Sequence, residues 1–270
     1  MSSRFVYPGL VVLALAAACQ QTTAPATSGQ MKLAFSARPA PAAAGTAGIV
    51  SSIVMGADTM LSASDTLVLD TVQIVLRKIE LKRVDGSACD TLVSDEGRDD
   101  GCEEVEAGPV LVNLPLGDTA AQMFSVNIPI GSYDKVEFKV HVPTSDGRDQ
   151  AFLAANPQFA GASIRVVGTF NGKAFVFTSA LTAEQELELS PPLTVSDTGA
   201  TSLTIRADVS KWFLNGTALV DPGTALAGGA NEGLVRSNIQ ASFRGLHDGN
   251  DDGLDDGSEE GSGGGDGGGH

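Results

Sequence analysis

Basic residues are scarce in this chain: 17 Lys and Arg stand against 33 Asp and Glu, a formal net charge of −16. No basic patch is available to hold phosphate, which excludes nucleic-acid binding as a working reading. Histidine is scarcer still, at His141, His247 and His270, and cysteine occurs three times, at Cys19, Cys89 and Cys102. Gly-x-Ser-x-Gly, metalloprotease and phosphate-loop motifs are all missing, so no catalytic constellation is legible and a non-enzymatic protein is expected. An apolar run long enough to span a bilayer is missing from the N-terminus as well. Phe5 to Ala18 is 14 residues, about 21 Å as a helix, against a hydrocarbon core of about 30 Å.

What stands at the N-terminus is an export signal. Arg4 precedes the apolar stretch, and the stretch closes on small residues, which together make the n-region, h-region and cleavage site of a secretory signal. The ending Leu15-Ala16-Ala17-Ala18-Cys19 resembles the lipobox of bacterial lipoproteins. It departs from that pattern at Ala16, where Leu is usual, with Leu15 one step early. The resemblance implies cleavage before Cys19 and acylation of that cysteine, palmitate included. Two or three acyl chains hold far more firmly than one. A plain secretory signal cut after the alanines is the alternative. Gln20, in place of the Asp that resembles an inner-membrane retention signal, favours the outer membrane. The expectation is therefore a signal peptide over 1–18 and a membrane-anchored, extracytoplasmic body.

In an oxidising compartment the remaining pair, Cys89 and Cys102, is expected to form a disulfide. They bracket the acidic stretch Asp90 to Gly101, and closing a loop of that size stabilises by about 3 kcal/mol in the chain-entropy model. Two free thiols or a metal pair are the alternatives, but the spacing is too wide for Cys-x-x-Cys and no His lies near. Residues 19–30 are small and polar, a flexible linker. A domain over 31–246 follows, then a Gly-rich tail over 247–270 that holds eight of the 33 acids. That tail has almost no apolar residue beyond Leu254 and is expected to be disordered.

Between linker and tail, apolar residues mostly alternate, the period of a strand. Val136, Phe138, Val140 and Val142 share one face, with Glu137, Lys139 and His141 on the other. Asn171-Gly172 joins two apolar segments, a hairpin signal because both turn residues must accept positive φ. Val72–Val84 reads either as a helix face (Val72, Val75, Leu76, Ile79) or as two strand halves (Val72, Ile74, Leu76, then Ile79, Leu81) with a bulge at Arg77-Lys78. Its β-branched content decides for strand. Met31–Ser36, Ser202–Asp208 and Leu234–Phe243 are read as further strands. The expected fold is all-β, an antiparallel β-sandwich.

Three segments carry a resemblance. Ile128-Pro129-Ile130-Gly131-Ser132-Tyr133 with the strand after it, Val72–Leu81, and Leu203–Trp212 resemble elements of uncharacterised bacterial β-sandwich lipoprotein domains, spread over Val72 to Phe243. The outline also resembles periplasmic copper-binding sandwich proteins associated with methanobactin uptake. The first resemblance implies fold and address but no activity. The second implies copper, for which His141 is a candidate ligand without an assignable second.

Asp248 to Glu259 (DGNDDGLDDGSE) fits the calcium-loop pattern D-x-[DN]-x-[DN]-G-x₅-E. Asp248, Asn250 and Asp252 would supply side-chain oxygens, Leu254 a carbonyl and Glu259 a bidentate carboxylate. The segments on either side are not helical in character, so an EF-hand pair is excluded, and a solvated acidic tail is the alternative reading. Glu184, Glu186 and Glu188 share one strand face, read as an edge protected by charge. Trp212 is read as a plug at the sandwich edge, and His141 as a solvated strand position. The functional expectation is a lipid-anchored binding or scaffolding protein with a protein or glycan partner. Metal handling, by calcium in the tail or copper on the sandwich, is the alternative.

Overall fold

The computed structural model describes residues 28–37, 50–54, 57–62, 64–84, 102–106, 108–116 and 121–247. The first strands in chain order are β1 (Ser28–Ser36), β2 (Val50–Val54), β3 (Ala57–Leu61), β4 (Thr66–Arg83) and β5 (Cys102–Glu106). They are followed by β6 (Val110–Leu114), β7 (Ala121–Pro129), β8 (Gly131–Val140), β9 (Ile164–Phe170) and β10 (Lys173–Ser179). The last are β11 (Ala183–Val195), β12 (Ala200–Ala207), the two-residue β13 (Leu214–Asn215) and β14 (Ala218–Leu219), and β15 (Phe243–His247). Among the described residues there are two α-helices, α1 (Gly147–Ala155) and α2 (Glu232–Gln240). The fold is all-β, as the alternation predicts.

β4 is the spine of a nine-stranded sheet. Along one edge it pairs with β9 and then β8, and along the other with β3, β6 and β5. It remains one strand through several register shifts, and two bulges among them explain its ambiguous pattern. Leu67 and Leu69 are buried, then Val72, Ile74 and Leu76, then Ile79 and Leu81. The inward parity changes at each bulge, because one extra residue in a period of two moves every later side chain to the other face. The first change lies at the register shift between Leu69 and Thr71. The second lies at Lys78, whose φ of 56° places a non-glycine residue in the left-handed region, where the sequence predicts a bulge.

The second sheet has the order β15-β12-β1-β7, with β1 and β12 parallel and the other pairs antiparallel. It faces the first sheet across one apolar core. Phe138 of β8 meets Phe243 of β15 edge-on, with ring centroids 5.2 Å apart. Such a pair adds about 1 kcal/mol beyond its area burial. A Cβ at Gly245 would come within 2.7 Å of the Leu189 side chain, so β15 packs closely onto β11 there. Phe213 receives Phe177 edge-on at 5.1 Å.

The hairpin at Asn171-Gly172 forms as expected, with φ of 51° and 74°, and its Asn171 Oδ1 accepts from Thr66 N at 2.8 Å. The expected strand over Leu234–Phe243 is wrong. Residues 232–240 form α2, and the last strand, β15, starts only at Phe243. Val235 and Ile239, four apart, are the buried residues of that helix, and Glu232 and Arg236 pair on its surface at 3.4 Å. Alternation and helical spacing overlap in so short an apolar segment, and packing decides between them. β12 ends at Ala207, so Leu203–Trp212 is a strand followed by a 3₁₀ turn over Val209–Lys211. β1 begins at Ser28, within the expected linker.

Candidate functional site

β8 and β9 follow one another along the same edge of β4, and Val75 sits where they meet. Its N–H donates to Ser163 O at 2.8 Å, and its carbonyl accepts from His141 N at 3.0 Å. Residues 141–163 thus form an excursion whose two ends are held by a single residue of the spine. Ser163 Oγ adds a hydrogen bond to Leu181 O at 2.6 Å. The excursion carries α1, and the buried residue of α1 is not apolar. It is Asp149, 2 % exposed.

Asp149 Oδ2 lies 2.6 Å from His141 Nε2 and accepts from Thr144 N at 3.0 Å. Its Oδ1 faces Arg77 Nη1 at 3.7 Å and accepts no hydrogen bond among the described residues. Arg77 is positioned by the bulge at Lys78, which shifts the register against β8 between Arg77 and Glu80. Bulges commonly re-aim a side chain in this way. Burial pushes the Asp149 carboxyl up, but the Thr144 amide and His141 outweigh it and hold the carboxyl below its ordinary value. An ionised carboxylate can only accept, so His141 Nε2 is the donor of this pair.

His141 is therefore not the solvated strand position that its alternation implies. It lies one residue beyond β8, and its side chain is 12 % exposed. Val142, expected on the apolar face, is half-buried and outside the strand. Among the described residues no three His, Cys, Asp or Glu are grouped to hold a metal ion. The imidazole offers one ligand at most, and its only side-chain hydrogen bond among the described residues is to Asp149. The arrangement orients a ring and fastens a helix.

The outer face of the sheet continues from this site as rows of charge. Across β4, β8 and β11 the register places Glu80, Glu137 and Glu186 in one row. Lys82 and Lys135 lie opposite one another in the next row. Like charges directly opposite destabilise a sheet, and the lysines offset this. Lys82 Nζ bonds Glu137 and also reaches Glu186 at 3.0 Å, and Lys135 Nζ reaches Glu186 at 2.8 Å. Donation to the Glu137 carboxylate holds the Lys82 ammonium above its usual range. Hydrogen bonding from Lys135, then Lys82, lowers the Glu186 carboxyl. Glu184, Glu186 and Glu188 do share an exposed face of β11, which among the described residues pairs with β8 alone.

Trp212 is fully buried and donates from Nε1 to Ser242 Oγ at 2.9 Å. Cys19, Cys89, Asp248, Asn250, Asp252, Leu254 and Glu259 lie outside the described residues. Cys102 opens β5 with its backbone opposite Lys82. β15 runs to His247, so Asp248 follows directly on a strand. Comparison with protein-family models, with curated proteins and with solved structures finds no match for this chain.

Sequence reasoning missed Arg77, Thr144 and Asp149 as a group. Arg77 and Asp149 are 72 positions apart, and α1 lacks the apolar stripe that reveals a helix. A weak signal was available in Asp149 itself, an acid placed for the first turn of a helix.

Proposed function

We propose that this chain is a membrane-anchored extracytoplasmic lipoprotein whose β-sandwich is a non-enzymatic binding or scaffolding module for a protein or glycan partner. One observation carries the address: Arg4, an apolar stretch too short to span, and small residues immediately before Cys19. The resemblance to β-sandwich lipoprotein domains points the same way. The polar chemistry on the sheet's outer face is consistent with a binding role. Lys82 and Lys135 are paired with Glu137 and Glu186, and His141 is committed to Asp149. The test is fractionation with fatty-acid labelling of the full chain. Wild type is expected in the membrane fraction with label, and Cys19→Ser released and unlabelled. A Cys19→Ser chain that stays on membranes after export overturns the reading.

Metal handling is a second reading, with an observation of its own. Asp248, Asn250, Asp252, Leu254 and Glu259 follow the spacing of a calcium loop and begin one residue after β15. An isolated extracellular loop of this kind binds at about 10⁻⁴–10⁻³ M. Calorimetry with calcium should show such binding, weakened by Asp252→Ala. An unchanged titration in that variant excludes the loop. Copper on the sandwich is tested by the metal content of the purified protein, wild type against His141→Ala.

A further inference from the structure

β10 stands at the edge of the nine-stranded sheet and pairs with β9 alone among the described residues. Phe170 and Lys173 flank the two-residue turn at Asn171-Gly172, where both φ angles are positive. They are therefore a hydrogen-bonded pair, and the backbone groups of Phe175, Phe177 and Ser179 turn toward β9 in the same phase. Ser179 O accordingly accepts from Ser163 N at 2.9 Å. The N–H and C=O groups of Ala174, Val176 and Thr178 point the other way, off the sheet. No hydrogen bond reaches them from any described residue.

This edge is unguarded. β11, whose one described partner is β8, carries Glu184, Glu186 and Glu188, then Pro191 and Pro192, and a register shift between Glu188 and Leu193. Charge, proline and irregular register are the usual means of keeping a second chain off a sheet edge. β10 (KAFVFTS) has none of them beyond Lys173 at its first position. Val176 at its centre is 52 % exposed, more than any other large apolar side chain among the described residues. Val167 lies opposite it on β9, and the one charge that β9 adds is Arg165, opposite Thr178. No acid lies on either strand of this hairpin, in a chain with a net charge of −16.

We propose that β10 pairs antiparallel with β10 of a second copy of this chain, across a two-fold axis at Val176, so that the two sheets join edge to edge. The occupant follows from the strand's complementarity to itself. Centred on Val176, the pairing sets Ala174 opposite Thr178 of the second copy and Val176 opposite its own equivalent. At each of these positions outward N–H meets outward C=O, the hydrogen-bonded pair of an antiparallel ladder. Lys173 falls opposite Ser179, so no like charges meet. Phe175, half-buried in one copy, lies opposite Phe177 of the other, an aromatic cross-strand pair. A chain this acidic repels its copies, and an acid-free hairpin lets them approach without adding to that repulsion. The contact is isologous, as in most dimers. Its length puts it at the small end of interface sizes, so the dimer is reversible and concentration-dependent. Nothing in the pairing requires the lipid tether.

The test is sedimentation equilibrium of the full chain carrying Cys19→Ser, so that no acyl group contributes. The average mass should rise from monomer toward dimer with concentration. Val176→Lys sets two ammonium groups against each other on the axis and should weaken the dimer roughly tenfold or more, as should Val176→Glu with two carboxylates. An equimolar mixture of the two variants should dimerise again. Amide exchange at high concentration should slow at Ala174, Val176 and Thr178 while Phe175 and Phe177 stay unchanged. Protection of Phe175 and Phe177 in the dilute variants reports an intact hairpin. A chain that stays monomeric without either substitution overturns the pairing, as does a dimer that neither variant weakens. A mixture that stays monomeric with the hairpin intact overturns the two-fold register. Exchange that slows without the alternation overturns the edge contact, whatever the variants do.

Discussion

His141 Nε2 stands 2.6 Å from Oδ2 of Asp149, and this pair fastens to the sheet a helix that buries no apolar side chain of its own. Most short helices in proteins are held by an amphipathic face. α1 is held by a carboxylate, with Phe152 against Phe159 at 6.2 Å as its ring contact.

Asp149→Ala should therefore loosen the excursion more than the body. It removes the acceptor for His141 and Thr144 and leaves Arg77 facing a void. The expected cost is about 1–3 kcal/mol, at the lower end because the Arg77 side chain is 40 % exposed and can turn to water. Amide exchange over 147–155 should rise well before that of β4 and β8. Unchanged protection in the helix would show that the polar latch does not hold it.

Acid should weaken the fold through two carboxyls. Asp149 is held below its ordinary 3.8, with burial opposing and the Thr144 amide and His141 prevailing, and Glu186 is held below 4.5 by Lys135 and Lys82. A depressed folded value means stability that is present above the unfolded value and lost as pH falls through the folded one. Denaturant midpoints should hold steady from neutrality down to about pH 4.5 and decline below it. Asp149→Asn should flatten part of that decline. An identical acid limb in the variant contradicts the assignment.

Two glycines should differ in kind. A Cβ at Gly168 in β9 would come within 2.0 Å of Val68 O, a backbone atom of β4 that cannot swing aside. Gly168→Ala should cost about 1–3 kcal/mol through forced overpacking and expose amides along the β4–β9 ladder. Gly172 has φ of 74° with open space around its Cβ position. Gly172→Ala should cost about 1 kcal/mol from the left-handed backbone alone and leave the ladder protected. Equal unfolding midpoints for the two variants would contradict this account.

Cys89 and Cys102 are expected to be joined. Mass spectrometry of the exported protein without reductant should show one linked peptide, and two alkylatable thiols would sink the claim. β5 pairs with β4 beginning at Cys102 opposite Lys82, so reduction should raise exchange in β5 first. The loss of stability should be about 3 kcal/mol in the chain-entropy model.

Much of the sheet architecture was legible because strand signals are local. Ile79 and Leu81 continue Val72, Ile74 and Leu76 only if one residue is skipped, which located the bulge at Arg77-Lys78. Asn-Gly located the hairpin. The same reasoning failed at Leu234–Phe243, where Val235 and Ile239 are buried by helical spacing. It failed again at His141, whose alternation with Glu137 and Lys139 implied solvent.

By itself the sequence determined the class of fold, a strand through Val72–Leu81 bulged at Arg77-Lys78, the hairpin at Asn171-Gly172 and the charged face of β11. Each depends on the two-residue period of a strand or on a turn that needs positive φ, and both are written in neighbouring residues. Only the tertiary structure decided that Val75 receives both ends of an excursion and that Arg77 and His141 converge on Asp149. Those placements depend on which distant segments the core brings together. A buried carboxylate at position 149 is tolerable only where a pairing 72 positions away and a loop eight residues away supply its partners. Chain connectivity and the closing of two sheets on one core created that place, and no local pattern encodes it.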